Sequence, residues 1–140
     1  MADNVSKSSR INLDWEGGEA FRATSAAGSE IVLDGDAENG FSPMQALVTS
    51  LGACMGIDVI IILTKMRADL KRLRVALEGE RRQEPPRYFE RLRVKFEIAG
   101  GVPAAKAERA VKLSREKYCS VLHTLRPDLM IETSFEILER

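Results

Sequence analysis

From Ala46 to Leu63 the chain is apolar on nearly every side of a helix, with Asp58 as its one charge. A helix that is apolar all round has to be buried, so the fold must be built around this segment. Its start is well specified. Ser42 is a natural N-cap, Pro43 suits the first helical position, and Gln45 completes a capping box. Lys65, Arg67 and Asp69 mark a solvated end. The run is short for a comfortable bilayer span, and it contains Asp58, Gly52 and Gly56. It reads as a core helix, not a membrane segment.

The flanking segments predict strands. Ile11, Leu13 and Trp15 alternate with polar residues, and Gly17-Gly18 offers a hairpin turn. Phe21 to Ser25 and Ile31 to Leu33 read as two more strands around Ala27-Gly28. Residues 34–40 form a polar loop. After the helix, Leu73, Val75 and Leu77 alternate, as do Leu92, Val94, Phe96 and Ile98, joined through Gln83-Glu84-Pro85-Pro86. Ala99-Gly100-Gly101 predicts a chain break. Pro103 opens a second helix with Ala107, Ala110, Val111, Ser114 and Tyr118 on one face. A helical piece from Ser120 to Leu125 stops before Pro127, and Leu129, Ile131, Phe135 and Ile137 make a last strand. The order βββ-α-ββ-α-β is an α+β fold. Its 140 residues suit one domain over 10–140, with residues 1–9 as a loose tail. So small a chain has too little material to cover every face of the first helix. The expectation is a homodimer that buries it, with backbones approaching at Gly52 and Gly56.

Charge narrows the partners. Lys+Arg and Asp+Glu each number 21, so no net basic field points to nucleic acid or an anionic membrane. The polar start MADNVSKSSR has no apolar signal core, and the expected location is the cytoplasm. The chain has two cysteines and one histidine, without a CxxC. These make a zinc site only if a carboxylate joins them, and no metal is expected. A stable structural disulfide is disfavoured in a reducing compartment.

The chemistry therefore turns on Cys54 and Cys119. A cysteine in an apolar helix is commonly a small packing residue, and burial disfavours the reactive thiolate unless a cation offsets it. Cys119 closes the second helix in Tyr118-Cys119-Ser120-Val121, with the same alternative. His123, four residues on, would share its face if the helix continued, giving a Cys–His pair. The simpler role for His123 is packing. Asp58 lies one turn after Cys54, where its charge would repel a thiolate. A structural role fits it better, holding a strand amide or an arginine.

Ser42-Pro43-Met44-Gln45-Ala46-Leu47, Leu51-Gly52-Ala53-Cys54 and Ile57-Asp58-Val59 resemble the central helix of the OsmC/Ohr family of osmotically induced and organic-hydroperoxide-resistance proteins. Tyr118-Cys119-Ser120-Val121 resembles the family's second cysteine motif. The likeness covers nearly the whole chain past the tail and is closer to the OsmC-like branch. It implies an OsmC-like fold with a central buried helix, an intertwined homodimer, and active sites at the subunit interface. It also implies a thiol-dependent peroxidase in oxidative stress defence, reducing organic hydroperoxides by a two-cysteine cycle. Cys54 would be the peroxidatic residue and Cys119 the resolving one. An external dithiol would reduce the disulfide, with no metal or organic cofactor.

The family uses an arginine from the N-terminal strands to stabilise the thiolate, and Arg22 is the match. An ordinary exposed strand charge is the other reading of it. The family's acid near the start of the central helix has no counterpart here, where Met44 and Gln45 stand. Gln45 lies about 13 Å along a straight helix from Cys54 and cannot touch it. Two other functions remain open from sequence: a dimer that binds a small apolar ligand, and a scaffold with inert thiols.

Overall fold

The computed structural model describes residues 8–138. Of the expected tail, positions 1–7 lie outside the described residues. The chain divides into two compact units, one ending at Leu47 and one beginning at Val48.

The first unit is an antiparallel sheet of β1 (Ile11–Trp15), β2 (Ala20–Ser25) and β3 (Glu30–Asp34), in that order. Gly17 and Gly18 turn β1 into β2 with φ of 98° and 56°, and Trp15 Nε1 donates to the Gly18 carbonyl at 3.0 Å. The register places Leu13 opposite Ala23 and Trp15 opposite Phe21, while Ala23 and Phe21 face Ile31 and Leu33 of β3. Opposed residues share a face, so one side of this sheet is almost wholly apolar. Ile11, Leu13, Trp15, Phe21 and Ile31 on it are exposed.

Helix α1 (Pro43–Lys65) begins with the predicted capping box. The Ser42 N–H donates to Gln45 Oε1 at 3.0 Å, and the Gln45 N–H donates to Ser42 Oγ at 3.1 Å. At 23 residues the helix is longer than the apolar run, and by length and composition alone it could cross a membrane. Its packing argues for a core helix. Leu51, Met55, Val59 and Leu63 are fully buried, and Gly52 and Gly56 are buried beside them.

The second unit's sheet has the order β4 (Asp69–Arg81), β5 (Phe89–Gly101), β6 (Met130–Leu138), with β4 antiparallel and β6 parallel to β5. Leu73, Val75 and Leu77 oppose Ile98, Phe96 and Val94 on one face. The other face carries ion pairs, among them Arg93–Glu80 at 2.9 Å and Lys95–Glu136 at 2.9 Å. This split is how an antiparallel pair meets core and water at once. The helix lies on the apolar face: a Cβ added at Gly52 would sit 2.6 Å from Leu77 Cδ1, and one at Gly56 3.4 Å from Val75 Cγ2. Gly52 thus makes room for a β4 side chain of the same chain, and Gly56 faces that strand too, where the sequence predicts both glycines approaching a partner helix. One face of the central helix is left uncovered by the chain itself, as expected of so small a chain. Ala53, Ile57 and Ile60, at helical spacing, are exposed.

Two further predictions need correction. The chain does not break at Gly100-Gly101, because β5 runs through both. Gly100 has φ 122° where the β4 register shifts between Leu70 and Arg72, a bulge geometry that favours glycine. A side chain there would collide with the Asp69 carbonyl. The second helix also does not carry Tyr118 on an α-helical face. Helix α2 (Ala104–Leu113) passes into a π-helical turn, Ser114–Tyr118, before α3 (Ser120–Thr124). Gly100→Ala should cost about 3 kcal/mol of stability, combining positive-φ strain with a backbone collision. Urea unfolding checks this, with Gly101→Ala expected to cost less than half as much.

Candidate active site

The second unit brings the two cysteines together. Cys54 is half-buried in α1, and Cys119 is fully buried. The Cys54 side chain is a hydrogen-bonding neighbour of Cys119 and raises its pKa. The sequence holds them far apart, and the π-helical turn helps join them. Its closing bond runs from the Cys119 N–H to the Ser114 carbonyl at 2.8 Å. Cys119 then leaves helical geometry, with φ −70° and ψ 105°, and becomes the N-cap of α3. Its sulfur accepts the Leu122 N–H at 3.4 Å.

That position sets two effects against each other. A helix start offers N–H groups that favour a thiolate, and the Leu122 N–H pulls the Cys119 pKa down. Burial is the larger effect, with Cys54 and Asp58 adding to it, and Cys119 is pushed up to about 11. Cys119 is therefore held as a thiol at neutral pH.

Asp58 is buried, 5% exposed, one turn beyond Cys54. Where the sequence suggests a strand amide or an arginine as its partner, the partner found among the described residues is a serine. Ser114 Oγ donates to Asp58 Oδ2 at 2.9 Å, and Ser114 is itself fully buried. His123 does not pair with the sulfur of Cys119. Its Nδ1 lies 2.7 Å from the Cys119 carbonyl oxygen and its Nε2 3.2 Å from that of Glu116, so the ring serves the backbone. Among the described residues no cluster of three or more His, Cys, Asp or Glu side chains could hold a metal ion.

Arg22 belongs to the first unit. It sits mid-β2 on the sheet face opposite Phe21 and Ala23. Its Nε donates to Glu16 Oε2 at 2.7 Å, and a second nitrogen reaches Glu30 Oε1 at 3.3 Å. Glu16, then Glu30, raise its pKa, so it remains a cation throughout the accessible range. Reading the sequence missed both acids. The alternation of β2 and β3 was the available signal, since it puts Glu30 diagonal to Arg22 on one face. Ser114 was placed on the buried face of the second helix, but its partner was not found.

Residues 34–134 match the family model of OsmC-like protein. The chain belongs to the OsmC-like family. Protein YhfA of Escherichia coli (strain K12) is 39% identical to this OsmC-like protein over 131 residues, covering 92% of this chain and 98% of YhfA. The crystal structure of a hypothetical protein from Aquifex aeolicus VF5 superposes with a TM-score of 0.88 at 34% identity, over 96% of this chain and 99% of that one. The organic hydroperoxide resistance protein OhrB of Bacillus subtilis shares the fold, with a TM-score of 0.62 at 15% identity over 92% of this chain and 98% of OhrB.

Because burial is the main cause of the raised Cys119 pKa, removing Cys54 should lower it only in part. In Cys54→Ala, thiolate absorbance at 240 nm should report a Cys119 midpoint that stays above about 8.5, the ordinary cysteine value. A midpoint at or below that value would contradict burial as the leading cause.

Proposed function

We propose that this OsmC-like protein is a thiol-dependent peroxidase that reduces organic hydroperoxides through a Cys54–Cys119 cycle. The observation that carries the reading is the direct interaction of two thiols of unlike character. One is half-buried and the other fully buried and held protonated. A pair in which both ionised together would repel, and each would compete for the oxidant. A buried Cys119 held as a thiol beside the more accessible Cys54 supports a division of roles. The sharing of this fold with proteins named for hydroperoxide resistance supports the same reading.

In the proposed cycle the Cys54 thiolate attacks one oxygen of the peroxide. The S–O bond forms, the O–O bond breaks, and the alcohol leaves with a proton. Cys54 becomes a sulfenic acid. Cys119 condenses with it to a disulfide and water, and an external dithiol of the cytoplasm returns both thiols. Arg22 is assigned, on resemblance, as the cation that favours the Cys54 thiolate.

The proposal includes a homodimer. Within the first unit an apolar sheet face lies open, and within the second the stripe Ala53, Ile57 and Ile60 of α1 does. Exposed apolar surface of this extent on a small chain marks an interface. Sedimentation of the purified protein should give a dimer mass, and Ile57→Glu with Ile60→Glu should shift it toward monomer.

Stopped-flow mixing of the reduced protein with an organic hydroperoxide tests the activity. Each peroxide consumed should remove two thiols as the disulfide forms, and Cys54→Ser should slow consumption by about 100-fold or more. Arg22→Ala should slow it about tenfold at pH 7. That deficit should shrink at higher pH, because alkali restores a thiolate that has lost its cation. Peroxide that survives for minutes while both thiols stay titratable would sink the reading and leave a ligand-binding or scaffold role.

A further inference from the structure

We infer that Asp58 and Ser114 form a tether that positions Cys119 against Cys54 for the disulfide-forming half of the cycle. This deepens the proposed function and rests on it.

A buried carboxylate is costly, and its ordinary partner is a cation. Asp58, 5% exposed, has a serine hydroxyl instead, supplied from 56 positions further along the chain at 2.9 Å. Both ends of this bond lead to a cysteine. On α1, Asp58 is one helical turn from Cys54, on the same face. On the other side, Ser114 opens the π-helical turn, and its carbonyl accepts the Cys119 N–H at 2.8 Å. Single π-helical turns are frequent at functional sites. Two hydrogen bonds in series therefore run from the Cys54 helix, through one residue, to the Cys119 backbone. The short ring closes at the sulfurs themselves.

Chemistry gives this ring a purpose. In the resolving step Cys119 attacks the Cys54 sulfenic acid. The S–S bond forms, the S–O bond breaks, and the hydroxyl leaves as water with the Cys119 proton. Cys119 sulfur is oxidised and Cys54 sulfur reduced. The step needs the sulfurs held in line at close range. α1 and the π-helical turn meet far from either end of the chain. A hydrophobic contact would hold them loosely, whereas a charge-assisted hydrogen bond fixes distance and direction. Asp58 also adds, behind burial and Cys54, to holding Cys119 as a thiol.

The test separates the two half-reactions in Ser114→Ala, Asp58→Ala and Asp58→Asn. After one equivalent of hydroperoxide, quenched-flow alkylation counts disulfide, and a sulfenic-acid trap counts the intermediate. Ser114→Ala and Asp58→Ala should slow disulfide formation about tenfold more than they slow peroxide consumption, so trapped sulfenic acid accumulates. Asp58→Asn keeps an oxygen for the Ser114 hydroxyl and should recover to within about threefold of the parent. A folded Ser114→Ala protein that forms disulfide at the parent rate would overturn the tether. An Asp58→Asn protein as slow as Asp58→Ala would also overturn it, by showing that charge alone matters. If neither alanine variant folds, Asp58→Asn decides: a near-parent rate supports the tether and a tenfold loss rejects it. If the parent protein consumes no peroxide, the proposed function falls but the tether is still measurable. Equilibration of the parent and Ser114→Ala with oxidised and reduced dithiothreitol gives the effective concentration of the two thiols. A tenfold drop in the variant supports the tether, and equal values reject it.

Discussion

The close seating of α1 on β4 is the constraint on which the second unit depends. Gly52 has no side chain because the Leu77 side chain occupies that space, and Gly56 faces Val75 at ordinary contact distance. This seating lets Leu51, Met55, Val59 and Leu63 reach full burial, each contributing roughly 1.5–3 kcal/mol. The seating also fixes the rotation of the helix. With the glycine row on the sheet, Asp58 faces inward to Ser114, Cys54 stays half-buried beside Cys119, and Ile57 and Ile60 point outward. A rotation by one residue would expose Asp58 and bury the outer stripe. Packing and site geometry are thus set by the same row of small residues.

Burial then decides the character of the thiols. Cys119 stands at a helix start with an N–H directed at its sulfur, a setting that in an exposed cysteine lowers the pKa. Here α3 spans only Ser120–Thr124, so few aligned peptides add to the field. The desolvation of a fully buried sulfur outweighs one weak N–H contact. Asp58 pushes in the same direction as burial, so the carboxylate bonded to Ser114 also helps hold Cys119 as a thiol.

Most of the fold was legible because its signals are local. The capping box at Ser42 and Gln45, the alternation in β4 and β5, and the Gly17-Gly18 turn each depend on neighbours a few residues away. The misreadings share one cause, which is tertiary context. Gly100 looked like a chain break, but a positive φ serves a bulge inside a strand as well as a turn outside one. The α2 periodicity ran smoothly past Ser114, yet the chain widens there into a π-helical turn whose first residue meets Asp58, a contact that no local pattern encodes. Gly52 and Gly56 gave the correct physical signal of close approach, while spacing alone could not say which surface approaches. Both cysteines were found from their motifs. Their mutual contact is a property of the folded second unit.

The acids around Arg22 bear on how the chemistry of this branch is distributed. An arginine is useful to a thiolate only if its guanidinium plane is held, since its long side chain otherwise samples many rotamers. The start of α1 offers no acid for this purpose, and Gln45 is occupied in the capping box. Glu16, just past the end of β1, and Glu30 of β3 hold Arg22 from either side. Both pairs are solvent-exposed and therefore weak as sources of stability. Their value is orientational, because a guanidinium donating through Nε to one acid and through a terminal nitrogen to another has its plane defined by two points. The arrangement has a cost in charge. Two carboxylates neutralise more than the one positive charge they hold, so the field that Arg22 can offer an approaching anion is smaller than that of an unpaired cation. Orientation has been gained at the expense of field strength.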